Sequence, residues 1–330
     1  PAQLRAFSRE HARELEKTKW EQFVFFNQWR ELATYCHGLG IKLFGDLPFY
    51  VSLDSADVWA GRELFAVDSK GKMKEVAGVP PDYFNENGQL WGMPVFRWQK
   101  LKEKKYSWWV DRIRKNMNLF DVIRLDHFRA FASYWAVPGD EATARNGKWK
   151  KGPGAGLFDT LQRNLGALPF IAEDLGDIDH TVHELRSGYN FPGMKVLQFA
   201  FGGNFPASEY LPHQYEENFV VYTGTHDNNT VRGWYRRDAG ASEKKNLDRY
   251  LGQRVVSRKI HTLLVRMAYA SVARTAIVPM QDILGLDGRS RMNAPATTEH
   301  NWLWRMKPGL LTAEVERWLG ELTELYGRQP

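Results

Sequence analysis

The 330 residues hold a single cysteine, Cys36, so no disulfide can form within the chain and a reducing compartment is expected. No apolar run reaches the about 20 residues that a membrane-crossing helix needs, and no signal peptide is visible. Glycine-rich phosphate turns of the GxGxxG or GxxxxGK[ST] kind are missing, which argues against a nucleotide site at the switch point of an open sheet. The GxSxG elbow of serine hydrolases is missing too, as are HxH, HExxH and CxxC spacings. His127 and His226 each adjoin an aspartate, which keeps a metal hydrolase open as a reading. Adjacent strand residues face opposite sides, however, so Asp126 and His127 would not readily ligate one ion. No metal and no cofactor are expected.

Aromatic residues, by contrast, are plentiful: 13 Trp, 13 Tyr and 19 Phe. Such a stock serves either bulky core packing or flat surfaces for ligands such as sugars. The net charge is +6, but the basic residues are scattered. The densest run, "RWQKLKEKK" from Arg97 to Lys105, reads as a solvated helix face, so no nucleic-acid partner is expected.

Residues 2 to 38 read as helix, amphipathic through "FVFFNQWRELATYCHGLG", with Gly38 and Gly40 as terminators. Six short apolar runs then end in polar or charged residues: "IKLFGDLPFYV", "LFDVIRLDHF", "LPFIAEDLG", "GMKVLQFAF", "NFVVYTGTHDN" and "RTAIVPMQDILGL". Separated by helical or loop segments, they predict βα units and a parallel sheet. The fold class read from them is α/β, a (β/α)8 TIM barrel with strands three to eight visible, and an open doubly wound sheet is the alternative. Two further strands are expected upstream of Pro1. Residues 1–46 and 106–330 are assigned to the barrel. Residues 47–105, rich in Gly, Pro and aromatics, are assigned to an inserted subdomain with a substrate-covering loop.

Four of the runs end in carboxylates: Asp46, Asp126, Glu173 with Asp174, and Asp227. Asp282 is a candidate fifth. In a barrel the strand C-termini converge on one face, where catalytic groups sit. Asp126, Glu173 and Asp227 are therefore the candidate catalytic set, since paired carboxylates cleave glycosidic bonds. Arg124, two residues before Asp126, points to the same side and would keep it ionised. Glu173 follows "LPFIA", where desolvation would raise its pKa, and the like charge of Asp174 is expected to point elsewhere. Trp91 and Tyr83 are candidates to stack on sugar rings, with Asp82 and Gln89 as hydroxyl partners. Salt-bridged strand caps and core aromatics are the structural alternatives.

"GDLPFYV", "AGVPPDYFNENGQLWGMP", "VIRLDHFRAF", "AEDLG", "PGMKVLQFAF", "YTGTHDNNT" and "RMNAP…NWLWR" together resemble the 4-α-glucanotransferases, also called amylomaltases or disproportionating enzymes, glycoside hydrolase family seventy-seven. The resemblance runs from about Trp20 to Arg305. It implies retaining transfer of α-1,4-glucan segments between maltooligosaccharides, or from amylose or a starch-like glucan to glucose. Asp126 matches the nucleophile, Glu173 the general acid/base, and Asp227 the carboxylate that binds ring hydroxyls. Arg124 and His226 match their companions, Asn293 a further sugar contact, and Asp82, Gln89 and Trp91 a loop over the cleft. Asp46 resembles the first conserved region and is a candidate substrate-binding residue. Met93, Asn229 and His300 depart from the family's usual Asn, Asp and Gly. Cytoplasm is the expected location, or a plastid in a plant. An α-glucan hydrolase with the same triad and a non-catalytic glucan-binding fragment remain the other readings. Chain-length preference and oligomeric state are not legible.

Overall fold

The structure, a computed structural model, describes residues 2–81, 85–295 and 297–329. Two compact units divide the chain: Pro1–Glu173 with His180–Leu185, and Asp174–Asp179 with Arg186–Pro330.

The first unit opens with helices Ala2–Glu10 and Ala12–Gly38, as the sequence pattern predicts. Half-buried Cys36 lies on the second of them. Among the described residues no helix is long and apolar enough to cross a membrane. Seven strands follow: β1 Phe44–Leu47, β2 Glu75–Val79, β3 Gln89–Pro94, β4 Val122–Leu125, β5 Ser133–Pro138, β6 Lys148–Lys151 and β7 Phe170–Ala172. Strands β1, β4 and β7 form a parallel sheet in that order. Parallel neighbours need long crossovers, and the helices Ser107–Met117 and Ala155–Leu165 lie in those connections. Each helix buries one stripe: Trp109, Val110 and Ile113 on the former, Leu157, Phe158 and Leu161 on the latter. Trp109 is fully buried and meets Phe49, Phe96 and Phe131 ring to ring.

Strands β2, β3, β5 and β6 make an antiparallel sheet in the order β3-β2-β5-β6. Two of its strands come from the expected insertion at 47–105 and two from residues 133–151. The turn joining β2 to β3 is braced from outside: Ala144 N–H donates to the Asn87 carbonyl at 3.0 Å, and Arg145 reaches the Glu86 carbonyl.

The second unit holds β8 Gly193–Val196, β9 Phe219–Tyr222 and β10 Thr275–Ile277, parallel in the order β10-β9-β8. Strands β8 and β9 are buried along their whole length, as continuous apolar runs in a parallel sheet require. The helix Ile260–Ala270 buries Ile260, Leu264, Val265, Met267 and Ala268, a helical stripe. Of these, Ile260, Leu264, Met267 and Ala268 join Phe201, Leu211, Val221 and Trp234 in the unit's core. All six apolar runs singled out in the sequence are thus parallel strands. Asp282 is the correction. Strand β10 ends at Ile277, and Asp282 lies beyond it in the short helix Met280–Ile283, buried rather than displayed at a strand tip.

Gly78 sets how closely β2 approaches β3, beside an irregularity in their register between Val76 and Gly78. A Cβ at Gly78 would stand 2.3 Å from the Gln89 carbonyl oxygen, which is backbone and cannot swing aside. Gly78→Ala is therefore expected to cost about 1–3 kcal/mol, as overpacking does. Urea denaturation measures this, and wild-type stability in the variant would contradict so tight an approach.

Candidate active site

In the first unit the register of the parallel sheet does the assembling. Asp46 on β1 pairs with Arg124 on β4, and Leu125 on β4 pairs with Ala172 on β7. The next residues along β4 and β7 are Asp126 and Glu173, so they emerge side by side. Backbone bonds carry the ladder past the strand ends: Asp126 N–H donates to the Leu47 carbonyl, and Glu173 N–H to the Leu125 carbonyl, both at 3.1 Å.

Arg124 is 6% exposed, and its guanidinium bridges two carboxylates. Nη1 reaches Asp46 Oδ2 at 2.5 Å, and Nη2 reaches Asp126 Oδ1 at 3.0 Å. A side chain two residues from Asp126 on a strand lies on the same face, as the sequence predicts. Glu173 faces the same turn. Its Oε2 accepts from His127 N–H at 2.8 Å, and its carbonyl accepts from Phe128 N–H at 3.1 Å. Standard peptide geometry then puts the Glu173 carboxylate within about 5 Å of the Asp126 Cα. Asp174 does point elsewhere, within the second unit. It accepts from Met194 N–H at 2.8 Å and pairs with Arg186 at 3.2 Å, while burial pushes its pKa up.

His127 takes φ 50° immediately after Asp126, a left-handed turn that reverses the chain. Its ring is packed by Phe49, Tyr50 and, at 4.8 Å, Trp91. Trp91 on β3 donates from Nε1 to Gln89 Oε1 at 3.1 Å, so the two expected sugar contacts are joined to each other. Asp82 and Tyr83, the other two in that loop, lie outside the described residues. Among the described residues no group of three or more His, Cys, Asp or Glu side chains could hold a metal ion.

In the second unit, the segment after β9 presents His226 and Asp227. His226 Nε2 stands 3.3 Å from Asp227 Oδ2, and Asn293 Nδ2 donates to Asp227 Oδ1 at 2.6 Å. Asn293 N–H also donates to the His226 carbonyl at 3.1 Å. The three residues expected in this unit therefore meet. Two more belong with them, unassigned in the sequence although both stand in the quoted motif. Arg291 donates from Nη2 to the Asp227 carbonyl at 2.6 Å and from Nε to the Asn293 carbonyl at 2.7 Å. Trp302, 53% exposed, tilts its ring 5.2 Å from that of His226. Asn229, one of the departures, donates to Asp238 at 2.9 Å.

Burial, then the nearby charge of Arg129, pushes the His127 imidazole down to about 4. An unfolded-chain histidine titrates near 6.5, so on acidification the unfolded state takes up this proton first. The stability held by the neutral ring is complete above about pH 6.5. It is lost as pH falls toward 4, by about 3 kcal/mol in all. His127→Asn tolerates the left-handed turn and does not titrate. It is expected to flatten that part of the stability curve in urea titrations between pH 4 and 8. An equally steep curve in the variant would exclude His127 as the source.

The chain is similar to known proteins in both sequence and structure. The chain is 48% identical over 311 residues to a 4-alpha-glucanotransferase of Synechocystis sp., covering 93% of this chain and 61% of that protein. It is 47% identical over 312 residues to the chloroplastic/amyloplastic 4-alpha-glucanotransferase of Solanum tuberosum, covering 93% and 54%. The chain thus spans between half and two thirds of these relatives. It superposes on the amylomaltase from Streptococcus agalactiae, solved in complex with acarbose, with a TM-score of 0.95 at 39% identity, covering 100% of this chain and 66% of that one. The fold class is accordingly α/β of the (β/α)8 barrel kind, with six of the barrel strands among the described residues. The profile of the 4-alpha-glucanotransferase family matches residues 1–312, and the chain belongs to that family.

Proposed function

We propose that this chain carries the catalytic machinery of a retaining 4-alpha-glucanotransferase. The substrates would be α-1,4-glucans, with maltooligosaccharides or a starch-like glucan as donor and a maltooligosaccharide or glucose as acceptor. The carrying observation is the Glu173 carboxylate hydrogen-bonded at 2.8 Å to the peptide N–H that follows Asp126. Retention needs an attacking carboxylate and a proton donor about 5–5.5 Å apart, and neighbouring ends of paired parallel strands supply such a spacing.

In the first step Asp126 Oδ attacks the anomeric carbon while Glu173 gives its proton to the departing glycosidic oxygen. A covalent glycosyl-enzyme forms and the reducing-side glucan leaves as an alcohol. In the second step Glu173 takes the proton of an acceptor 4-hydroxyl, whose oxygen displaces Asp126. Arg124 holds Asp126 charged and oriented. Asp227, with His226 and Asn293, would bind ring hydroxyls of the glucan. Trp91 and Gln89, and Asp82 and Tyr83 with them, would line a loop over the glucan that excludes water, so the intermediate is passed to a sugar rather than hydrolysed.

The same reading makes residues 1–46 and 106–330 a catalytic barrel and 47–105 an insertion carrying that loop. Cytoplasm, or a plastid in a plant, is the proposed location. The single cysteine and the plastid label of the potato relative support it.

Maltotriose provides the test. Transfer yields longer oligomers together with glucose, whereas a hydrolase with the same carboxylates yields glucose and maltose without elongation. Absence of both would favour a glucan-binding fragment. Asp126→Asn is expected to lower transfer by at least about a thousandfold. Glu173→Gln should lose about a hundred- to ten-thousandfold on maltotriose but little on a glycoside with an activated leaving group. Substantial maltotriose transfer by Asp126→Asn would reassign the nucleophile.

A further inference from the structure

Asp282 has no task in the proposed chemistry. It is 1% exposed, and both its carboxylate oxygens are engaged. Oδ2 accepts from the Thr223 hydroxyl at 2.7 Å, and Oδ1 accepts from the Val231 backbone N–H at 2.7 Å. Thr223 follows directly on β9, and Val231 begins the next helical turn. Both are 0% exposed. One buried side chain therefore gathers the two ends of the segment 223–231, the arrangement of an Ω-type loop. His226 and Asp227 stand at its middle.

The segment is also tied from within and above. Asn228 Oδ1 accepts from the Thr225 N–H and hydroxyl at 2.8 and 2.9 Å, and Thr230 caps the following turn. Arg291 holds the Asp227 carbonyl. None of these contacts spans the loop's two ends, as Asp282 does.

We propose that Asp282 is a positioning residue: by binding Thr223 and Val231 together it fixes where His226 and Asp227 are presented. The role in transfer rests on the glucanotransferase reading of those two residues, while the role in placing them does not. Burial pushes the Asp282 carboxyl up to about 6, with the two hydrogen bonds pulling the other way. Both its oxygens act as acceptors in the two bonds. An asparagine could keep both contacts, its oxygen accepting from Val231 and its amide donating to a reoriented Thr223 hydroxyl. Geometry rather than charge is what the role requires.

The test compares Asp282→Ala, Asp282→Asn, Thr223→Val and Thr223→Ser in the whole protein. Asp282→Ala is expected to lower kcat for maltotriose transfer about ten- to a hundredfold with a smaller change in KM, because a displaced catalytic group costs turnover. Thr223→Val should lower kcat about tenfold, and Asn at 282 or Ser at 223 should recover most of the loss. In nuclear magnetic resonance spectra the His226 ring signals should shift, and Val231 amide exchange should quicken at least about tenfold, in the Ala and Val variants only. Should Asp282→Ala fail to fold, the Thr223 pair decides alone. Thr223→Val with wild-type His226 signals and wild-type Val231 exchange overturns the proposal, whatever the activity. If the wild type itself transfers nothing, the glucanotransferase reading fails, and the same spectra still decide whether Asp282 positions the segment.

Discussion

A guanidinium taken out of water cannot shed its charge, so it must find anions wherever the fold places it. Arg124 does so across two elements at once, pairing with Asp46 on the adjacent strand and with Asp126 beyond its own. Removing either carboxylate would leave the buried guanidinium short of a partner, although solvent reaches both acids, whose side chains are 38% and 41% exposed. The register of β1 on β4 and the orientation of Asp126 are therefore coupled. A one-residue slip would turn Arg124 to the opposite face and strand its charge. Packing of the sheet and presentation of the proposed nucleophile depend on the same contact.

Hydrogen-bond accounting extends the coupling to Glu173. Backbone N–H groups beyond a strand end lose their ladder partners and must be satisfied in another way. The turn after β4 leaves the N–H groups of His127 and Phe128 to be paired, and Glu173 accepts from both, one through its carboxylate and one through its carbonyl. The proposed acid/base thus also completes the turn that carries the proposed nucleophile. Asparagine or glycine is usual at a left-handed φ. A histidine at 127 is held there by this acceptor below it and by aromatic rings around it.

The features legible in the sequence were those with local causes. Strands buried on both faces must be continuous apolar runs, so "FVVY" and "VIRL" declared themselves, and side-chain alternation placed Arg124 beside Asp126. The antiparallel sheet was not legible, because pairing 75–79 with 133–138 is decided by contacts across some sixty residues that no local pattern encodes. Asp282 was misplaced for a related reason. The run "TAIVPMQD" looks like a strand ending in an acid, but the chain turns at Pro279 and starts a helix, carrying the carboxylate inward. Arg291 stood in a quoted motif, yet its donors reach backbone carbonyls, which have no side-chain identity to betray them.

The carboxylates that follow the apolar runs fall into two physical kinds, and exposure separates them. The side chain of Asp174 is 4% exposed and Asp282 is 1% exposed, each occupied by internal donors, and burial pushes the pKa of both upward. An anion so placed is committed to holding backbone and side chains in position. The side chains of Asp126 and Asp227 are each 41% exposed although each is gripped by neighbours, Asp126 by Arg124 and Asp227 by Asn293. Fixing a charge while leaving it open to solvent forgoes the stability that burial of packed groups would bring, and it leaves lone pairs to face a ligand. Sequence position alone could not make this division, since all four acids follow apolar runs of the sequence. Solvent reach makes it: the side chains of Asp126 and Asp227, and of Asp46 at 38%, stay open to water where those of Asp174 and Asp282 do not.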